Sequence, residues 1–511
     1  MFKNSLWSFK SIIRRNRKLQ PTKLIVKSQI KQFYSTTTKN DSIQATPSSL
    51  QPPNKVIIVG AGLSGLSAAD HLIKNGVKEI LVLEAANRYG GRIHTVKLDG
   101  AVCELGAKWI NANDNPGSLF SLAQQGGLID RRSFDSSREN FFIINRETMD
   151  EEIVQLASVL FRDMIKGAEK YLHQEVPIDE RTADMYFKKL MKKTLAKMPP
   201  SEVETTKSVF NTLMRNLSCQ LGSDLGYIHV KHLANIAKYL NNPVCISAGL
   251  DSVFKQLVKN IPVDRLLLGK PISKIKWADL APNEKPWVTC LDGGKYHADH
   301  VICTIPLGAL NVFSQYFFTP NLPEVKTEAI KKLGRGSPGK IYLLYKEPVT
   351  SWFIGSVMLG AHQEGIHSRD NWTSGISEVA TLADSRKVLE VKIGGSHNET
   401  AERITEEIMD REITDTLRKV MKNNKIPHPK EIVRSFWSTD ARTLCGLPYI
   451  SVETTETCVK DLAAPLGPNE THGSPTLLFA GDATKFEGFG TVEAARSSGI
   501  REAQRVLDMM K

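Results

Sequence analysis

Glycines at positions 60, 62 and 65, with an acid 19 residues beyond the last of them at Glu84, form a set that can hold a dinucleotide. Gly60 permits a tight turn, Gly62 lets backbone approach a pyrophosphate, and Gly65 lets the following helix pack closely on the preceding strand. Ala61 and Ser64 complete the turn and the opening of that helix, whose amides face the phosphates. The Glu84 carboxylate suits the hydroxyls of an unphosphorylated ribose. Backbone makes a second close pass in Asn87-Arg88-Tyr89-Gly90-Gly91-Arg92, where Arg92 stands as a counter-charge to a diphosphate.

The elements that must position this set are a strand over 55–59, a helix ending at Asn75-Gly76 and a second strand over 79–84. Residues 126–242 have a different character. Apolar residues at 153, 156, 160, 164, 168 and 171 predict one helical face. Ser201 and Glu204 predict a capping box for a helix carrying Val209, Phe210, Leu213 and Leu217. Pro199-Pro200 separates it from a lysine-rich helix with a solvated face. From Ser247 the first pattern returns: a helix with Val253, Phe254 and Leu257 inward, then short strands with a hairpin turn at Asp292-Gly293. Beyond residue 310 the pattern predicts a helix over 324–333, strands over 340–345 and 388–393, and an amphipathic helix carrying Ile404, Ile408, Ile413, Leu417 and Met421.

With 511 residues, the chain is long enough for two or three domains with substantial cores. Its net charge of +12 is concentrated at the start: residues 1–40 hold ten Lys or Arg and no acid, which leaves +2 for the rest. The basic balance therefore belongs to a leader, and no nucleic-acid surface is expected. Rich in Arg, Lys, Ser and Thr, residues 1–40 look like a transit peptide, followed by a linker over 41–54. Mitochondria are the expected location, with cytosol or peroxisome as the alternative, although Met509-Met510-Lys511 is not a peroxisomal address. The seven cysteines show no CxxC spacing, so neither a metal site nor a disulfide framework is expected. No apolar run is long enough to span a membrane.

The extension through Gly90-Gly91-Arg92, the segment Leu105-Gly106-Ala107-Lys108-Trp109 and the closing Ala480-Gly481-Asp482-Ala483-Thr484 with Thr491-Val492 resemble the flavin amine oxidases. Within the flavin monoamine oxidase family, the chain is most similar to the polyamine (spermine or acetylpolyamine) oxidase branch. The resemblance implies an α/β fold: a Rossmann-type FAD-binding domain over 55–125, 243–310 and 428–511, with an inserted α+β substrate domain over 126–242 and 311–427. It also implies that Gly106, Ala107 and Trp109 lie along the flavin ring and that Ile272 meets the adenine through its backbone. Trp437 stands in the matching 434–440 strand, Asp482 binds the ribityl chain, and the helix opening at Thr491 and Val492 faces flavin N1 and C2. Lys340 stands where the family keeps a lysine that holds a water against flavin N5. The implied chemistry takes a small-molecule amine and oxygen, moves a hydride to N5, and releases an aldehyde, a shorter amine and hydrogen peroxide.

Three departures, at Asn111, Leu447 and Arg496, fall on the substrate side. Asn111 replaces an expected His, Leu447 replaces an expected aromatic two residues before Tyr449, and all three are expected to meet the substrate. Cys445 lies one position short of where monoamine oxidases attach flavin, so the FAD is expected to be non-covalent. Arg496 is expected to bring a positive charge near the cavity, opposing a polycation. Two other classes stay open: a flavoprotein that keeps the fold and binds without turnover, and a related mitochondrial flavin oxidase such as a porphyrinogen oxidase.

Overall fold

The computed structural model describes residues 54–112, 115–134, 140–144, 147–240, 243–353, 355–360, 371–382, 384–467 and 474–511. The expected leader, and the linker up to residue 53, lie outside the described residues.

Asn54–Val59 is a run of Val and Ile whose members at 56, 57 and 58 are all fully buried. A strand covered on both faces belongs in the middle of a parallel sheet. Its neighbours are Ile80–Leu83 on one side and Lys295–Cys303 on the other, both parallel, with Leu266–Leu267 and Leu477–Phe479 beyond them. The lower half of Lys295–Cys303 also pairs antiparallel with Trp287–Cys290, and the sheet continues through Ile272–Lys276 to Phe318–Thr319. The hairpin expected at Asp292-Gly293 forms there: Gly293 has φ +90°, and the Gly294 amide donates to Asp292 Oδ1 at 3.0 Å. One face of the sheet carries the Leu63–Lys74 and Val492–Met509 helices, packed on each other. A Cβ at Gly499 would lie 2.1 Å from the Ser64 carbonyl oxygen, so only glycine permits that approach.

A second sheet runs Glu431–Arg434, Pro338–Leu344, Ser385–Gly394, Ile376–Leu382, Ser356–Leu359, Asn140–Ile144 and Glu147–Thr148. It is antiparallel except where Ser356–Leu359 and Asn140–Ile144 run parallel. Two strands cross the segment boundaries expected at 310 and 427. Phe318–Thr319 belongs to the first sheet, and Glu431–Arg434 belongs to the second.

The helices Glu151–Gly167, Ala183–Leu195, Pro200–Leu221 and Val230–Leu240 share one apolar core. Two local expectations are corrected here. The buried face of the first helix is Val154, Ala157, Phe161 and Met164, continuing to Ala168 and Tyr171; Leu156 is exposed. Spacings of three, four, three, four and three hold one face of a 3.6-residue helix, whereas the expected set drifted by one residue over its first two turns. No capping box forms at Ser201: the third helix starts at Pro200, with no side-chain cap at Pro199. A proline fits that first position because its φ is already helical and its missing N–H would have had no partner.

A separate hairpin, Thr95–Leu98 with Ala101–Glu104, meets the second sheet where Leu98, Ala101, Cys103 and Leu105 pack with Tyr342, Leu344, Val388 and Trp437. This apolar joint brings the second sheet up to the loop following Glu104.

Candidate active site

At the end of the Asn54–Val59 strand, Gly60 has φ +105° and its amide donates to the Leu83 carbonyl at 2.8 Å. A Cβ on Gly65 would stand 2.0 Å from the Gly60 carbonyl oxygen, so the helix could not pack so closely with any side chain there. Around Gly62 the opposite holds, since nothing lies within 4 Å of a Cβ built on it. Its backbone is bare toward a cavity of about 490 Å³. The Leu63–Lys74 helix has no side-chain cap and no acid in its first turn. Such an N-terminus is arranged for a phosphate.

Glu84 lines the same cavity, with its carboxylate oriented by the amides of Ala61 (2.7 Å) and Ala86 (2.8 Å). Burial raises its pKa, and those two amides act in the opposite direction. Ala61 thus acts through Glu84, and neither Ala61 nor Gly65 lines the cavity. Arg88, which the sequence reading passed over, donates to the carbonyls of Tyr89, Gly91 and Ile93 and so shapes the loop that carries Arg92. Arg92 donates to Asp482 Oδ1 at 2.7 Å, which joins the first glycine segment to the closing one. Gly60, Gly62, Ser64, Ile272, Asp482, Thr491 and Val492 all line this cavity. Thr491 caps the Val492–Met509 helix by accepting from the Ala494 amide at 3.2 Å. Bare glycine backbone, an uncapped helix start and an oriented acid fit the diphosphate and ribose of FAD.

The far end of the cavity is built where this hairpin meets the second sheet. Gly106 and Ala107 lie under Arg92, and a Cβ on Gly106 would stand 1.7 Å from the Arg92 carbonyl oxygen. The Trp437 indole donates to the Leu105 carbonyl at 3.0 Å and holds this turn. Trp109 lines the rim, 44% exposed, with the Lys108 ammonium 5.4 Å from its ring centroid. Lys340 reaches in from the second sheet, and its Nζ donates to the carbonyls of Glu104 (2.9 Å) and Gly106 (2.7 Å). Burial pulls its pKa down to about 8; Glu390 and Glu104 oppose this, and Lys108 and Lys392 add to it.

Two expected substrate residues stand elsewhere. Asn111 shares a strand face with Trp109 and Tyr449 shares one with Leu447, but neither lines the cavity, whereas Trp109 and Leu447 do. One pleat carries a side chain about 6–7 Å along a strand. Tyr449 is buried there against Gly334, with its hydroxyl accepting from Ser223 Oγ at 2.9 Å. Arg496 is also corrected. It is buried away from the cavity, donating from Nε to the Gly117 carbonyl at 2.7 Å and from Nη1 to Ser67 Oγ at 3.2 Å. Glu493 accepts from the Leu119 amide and so caps the Leu119–Gln125 helix. Cys445 points its sulfur at the Gly336 carbonyl, outside the cavity lining, with its thiol pushed up to about 11 by burial.

The sequence reading missed Lys108, Glu390 and Lys392, which close the cavity beside Lys340. A signal was present in Val388-Leu389-Glu390-Val391-Lys392-Ile393: charges at alternate positions of an apolar strand share one face.

The family described as flavin containing amine oxidoreductase matches this chain over residues 63–507. Protein anon-37Cs of Drosophila simulans is 38% identical over 465 residues, covering 89% of this chain and 91% of that protein. The peroxisomal N(1)-acetyl-spermine/spermidine oxidase of Homo sapiens is 30% identical over 500 residues, covering 89% and 95%. A redesigned double mutant of putrescine oxidase superimposes with TM-score 0.66 at 19% identity, over 89% of this chain and 99% of that one, and so shares its fold.

Proposed function

We propose that this chain, which belongs to the flavin containing amine oxidoreductase family, binds FAD non-covalently and oxidises an amine at the carbon next to its nitrogen. The observation that carries this reading is a single cavity with the Gly60–Gly62 turn at one end and the Lys340 ammonium, anchored on two backbone carbonyls, at the other. FAD, when bound, supplies the hydride acceptor, and oxygen takes its electrons away as hydrogen peroxide. Glu84 meets a ribose hydroxyl and the helix start at Leu63 meets the diphosphate. The Gly106-Ala107 turn, held by Trp437, leaves room for a flat ring against backbone. Lys340 holds a water or a proton: its two carbonyl acceptors use two N–H donors, so the third position on nitrogen is a lone pair when the amine is neutral. The rest of the wall excludes bulk water and orients the amine.

Polyamines and acetylated polyamines are the finer substrate class expected from the sequence. The name of the human relative supports the acetylated members, which carry fewer charges and are the first to test. Purified protein is expected to be yellow and to bleach anaerobically on addition of an amine. Colourless protein that refuses FAD defeats the reading, and yellow protein that no amine bleaches moves it to a binding protein without turnover.

The placement of Cys445 leads to a second expected outcome. Acid precipitation releases the flavin into the supernatant, since this thiol is turned away from the cavity; colour retained in the pellet is the contrary result. Location is proposed from the basic leader, with mitochondria as the destination, against the peroxisomal names of two relatives. A fluorescent fusion of residues 1–45 is expected to enter mitochondria, and a diffuse or peroxisomal signal overturns that assignment.

A further inference from the structure

We infer that the sheet wall of this cavity grips the far end of the amine substrate by an oxygen acceptor, a carboxylate or an acyl carbonyl, through Lys392 and Lys108, and turns free polycations away. The inference rests on the amine-oxidation reading and narrows it to a substrate class.

The register of the second sheet sets the argument. Lys340 stands directly opposite Lys392 on the antiparallel neighbour, and Lys392 stands opposite Glu378 on the next strand. Tyr342 stands opposite Glu390 in the adjoining row. Residues two apart on a strand share a face, so all five side chains belong to the one facing the cavity. Of these, Lys340, Lys392 and Glu390 line it, and Lys108 joins them from the loop after Gly106. The wall thus presents three lysines and one carboxylate.

That carboxylate is already engaged. Glu390 is fully buried, its Oε1 lies 2.9 Å from the Tyr342 hydroxyl, and its Oε2 lies 3.4 Å from Lys108 Nζ. Glu378 balances Lys392 at 2.8 Å, but it sits one strand further along the same face, with Ser356 and Asn216, and does not line the cavity. Among the described residues of this wall, a second ammonium on the substrate therefore meets lysines and no further acid beside Glu390. Leu447 offers it no aromatic face, and the Trp109 ring at the rim already has the Lys108 ammonium 5.4 Å from its centroid. An oxygen acceptor meets the right sign of charge and N–H donors in the same place.

The experiment uses FAD-loaded protein and a set of amines of equal length: a free diamine, its mono-N-acetyl derivative and the corresponding ω-amino carboxylate. Anaerobic bleaching is expected to favour at least one oxygen-bearing member over the diamine by tenfold or more in kcat/KM, and the acetyl and carboxylate arms identify the acceptor. Lys392→Met is expected to remove most of that preference through KM. The paired variant Lys392→Gln with Glu378→Gln removes both charges without leaving either buried alone, and it is expected to behave alike. Binding gives a readout independent of turnover: an unreactive alkyl carboxylate or N-alkylacetamide raises the unfolding temperature of wild type but not of the paired variant, and an alkyl diammonium raises neither. A diamine that is oxidised or bound best, or a preference unchanged in both variants, overturns the inference. Bleaching by no amine, with the binding pattern intact, counts against amine oxidation alone.

Discussion

Replacing Lys340 with methionine is expected to slow anaerobic bleaching of the flavin by an amine by about 10²- to 10³-fold while the protein stays yellow. The geometry separates the two effects. The residues proposed to meet diphosphate and ribose lie at the glycine end of the cavity, and Lys340 contributes only at the other, through its bonds to the carbonyls of Glu104 and Gly106. Methionine keeps the volume of the stem but offers no donor and no basic lone pair, so the water or proton proposed for Lys340 loses its partner. The pH profile carries the same argument. With its pKa lowered to about 8, Lys340 is protonated and shows an N–H to the cavity below that pH; above it, the neutral amine shows a lone pair. The wild-type rate is therefore expected to rise with pH through about 8, and the methionine variant to lack that limb. An alkyl amine substrate titrates higher, near ~10.4, so its own limb remains distinguishable. A variant that bleaches as fast as wild type, with the same profile, removes Lys340 from the chemistry.

A second large effect is expected far from the cavity, at Lys326. Its side chain is 1% exposed, and Nζ donates to the carbonyls of Asp461 (2.7 Å), Leu462 (2.8 Å) and Ala464 (2.7 Å). These are the carbonyls at the end of the Cys458–Ala463 helix, which have no partner within the helix itself. Three acceptors match the three donors of an ammonium, and the Phe479 ring centroid lies 4.1 Å away. Burial penalises that charge and pulls the pKa down to about 7, so the carbonyls and the ring offset a real cost. Lys326→Met takes the donor from three carbonyls, that of Leu462 buried and the other two partly so, and is expected to cost roughly 3–5 kcal/mol of stability, read as a lower urea midpoint. The clamp also supports the cofactor end, because Leu466 pairs with Leu477 at the start of the strand that leads to Asp482. Flavin is therefore expected to be released from the variant at lower urea than from wild type. An unchanged midpoint would mean that Lys326 is tolerated there without contributing.

How legible the site was depended on how far apart its parts lie along the chain. Gly60, Gly62, Gly65 and Glu84 fall within one short stretch, where positive φ, close packing and strand length are local matters, and they stand together in the structure. Lys340 required the resemblance as well, because a lysine at the start of a strand is ordinarily solvated. Only the apolar joint of Leu105, Tyr342 and Trp437 turns it inward. Asn111 and Tyr449 were misplaced by a single pleat, a displacement that no alternation pattern encodes, since residues two apart look alike from sequence. Arg496 was expected near the cavity from its position in the closing helix. Its direction was decided instead by two acceptors, Gly117 and Ser67, which the chain brings there from distant segments.

The order of residues was enough to establish a flavin-binding strand–turn–helix, its glycines and acid, and the basic character of the first 40 residues, because these follow from short-range backbone constraints and from composition. The sign of the charge on the substrate wall could be read only from the assembled fold. Lys108 and Glu390 are 282 positions apart, and Lys340 faces Lys392 only through strand register. Electrostatic energy depends on distances in space, and nothing in the linear order of these residues specifies those distances until the two sheets have docked.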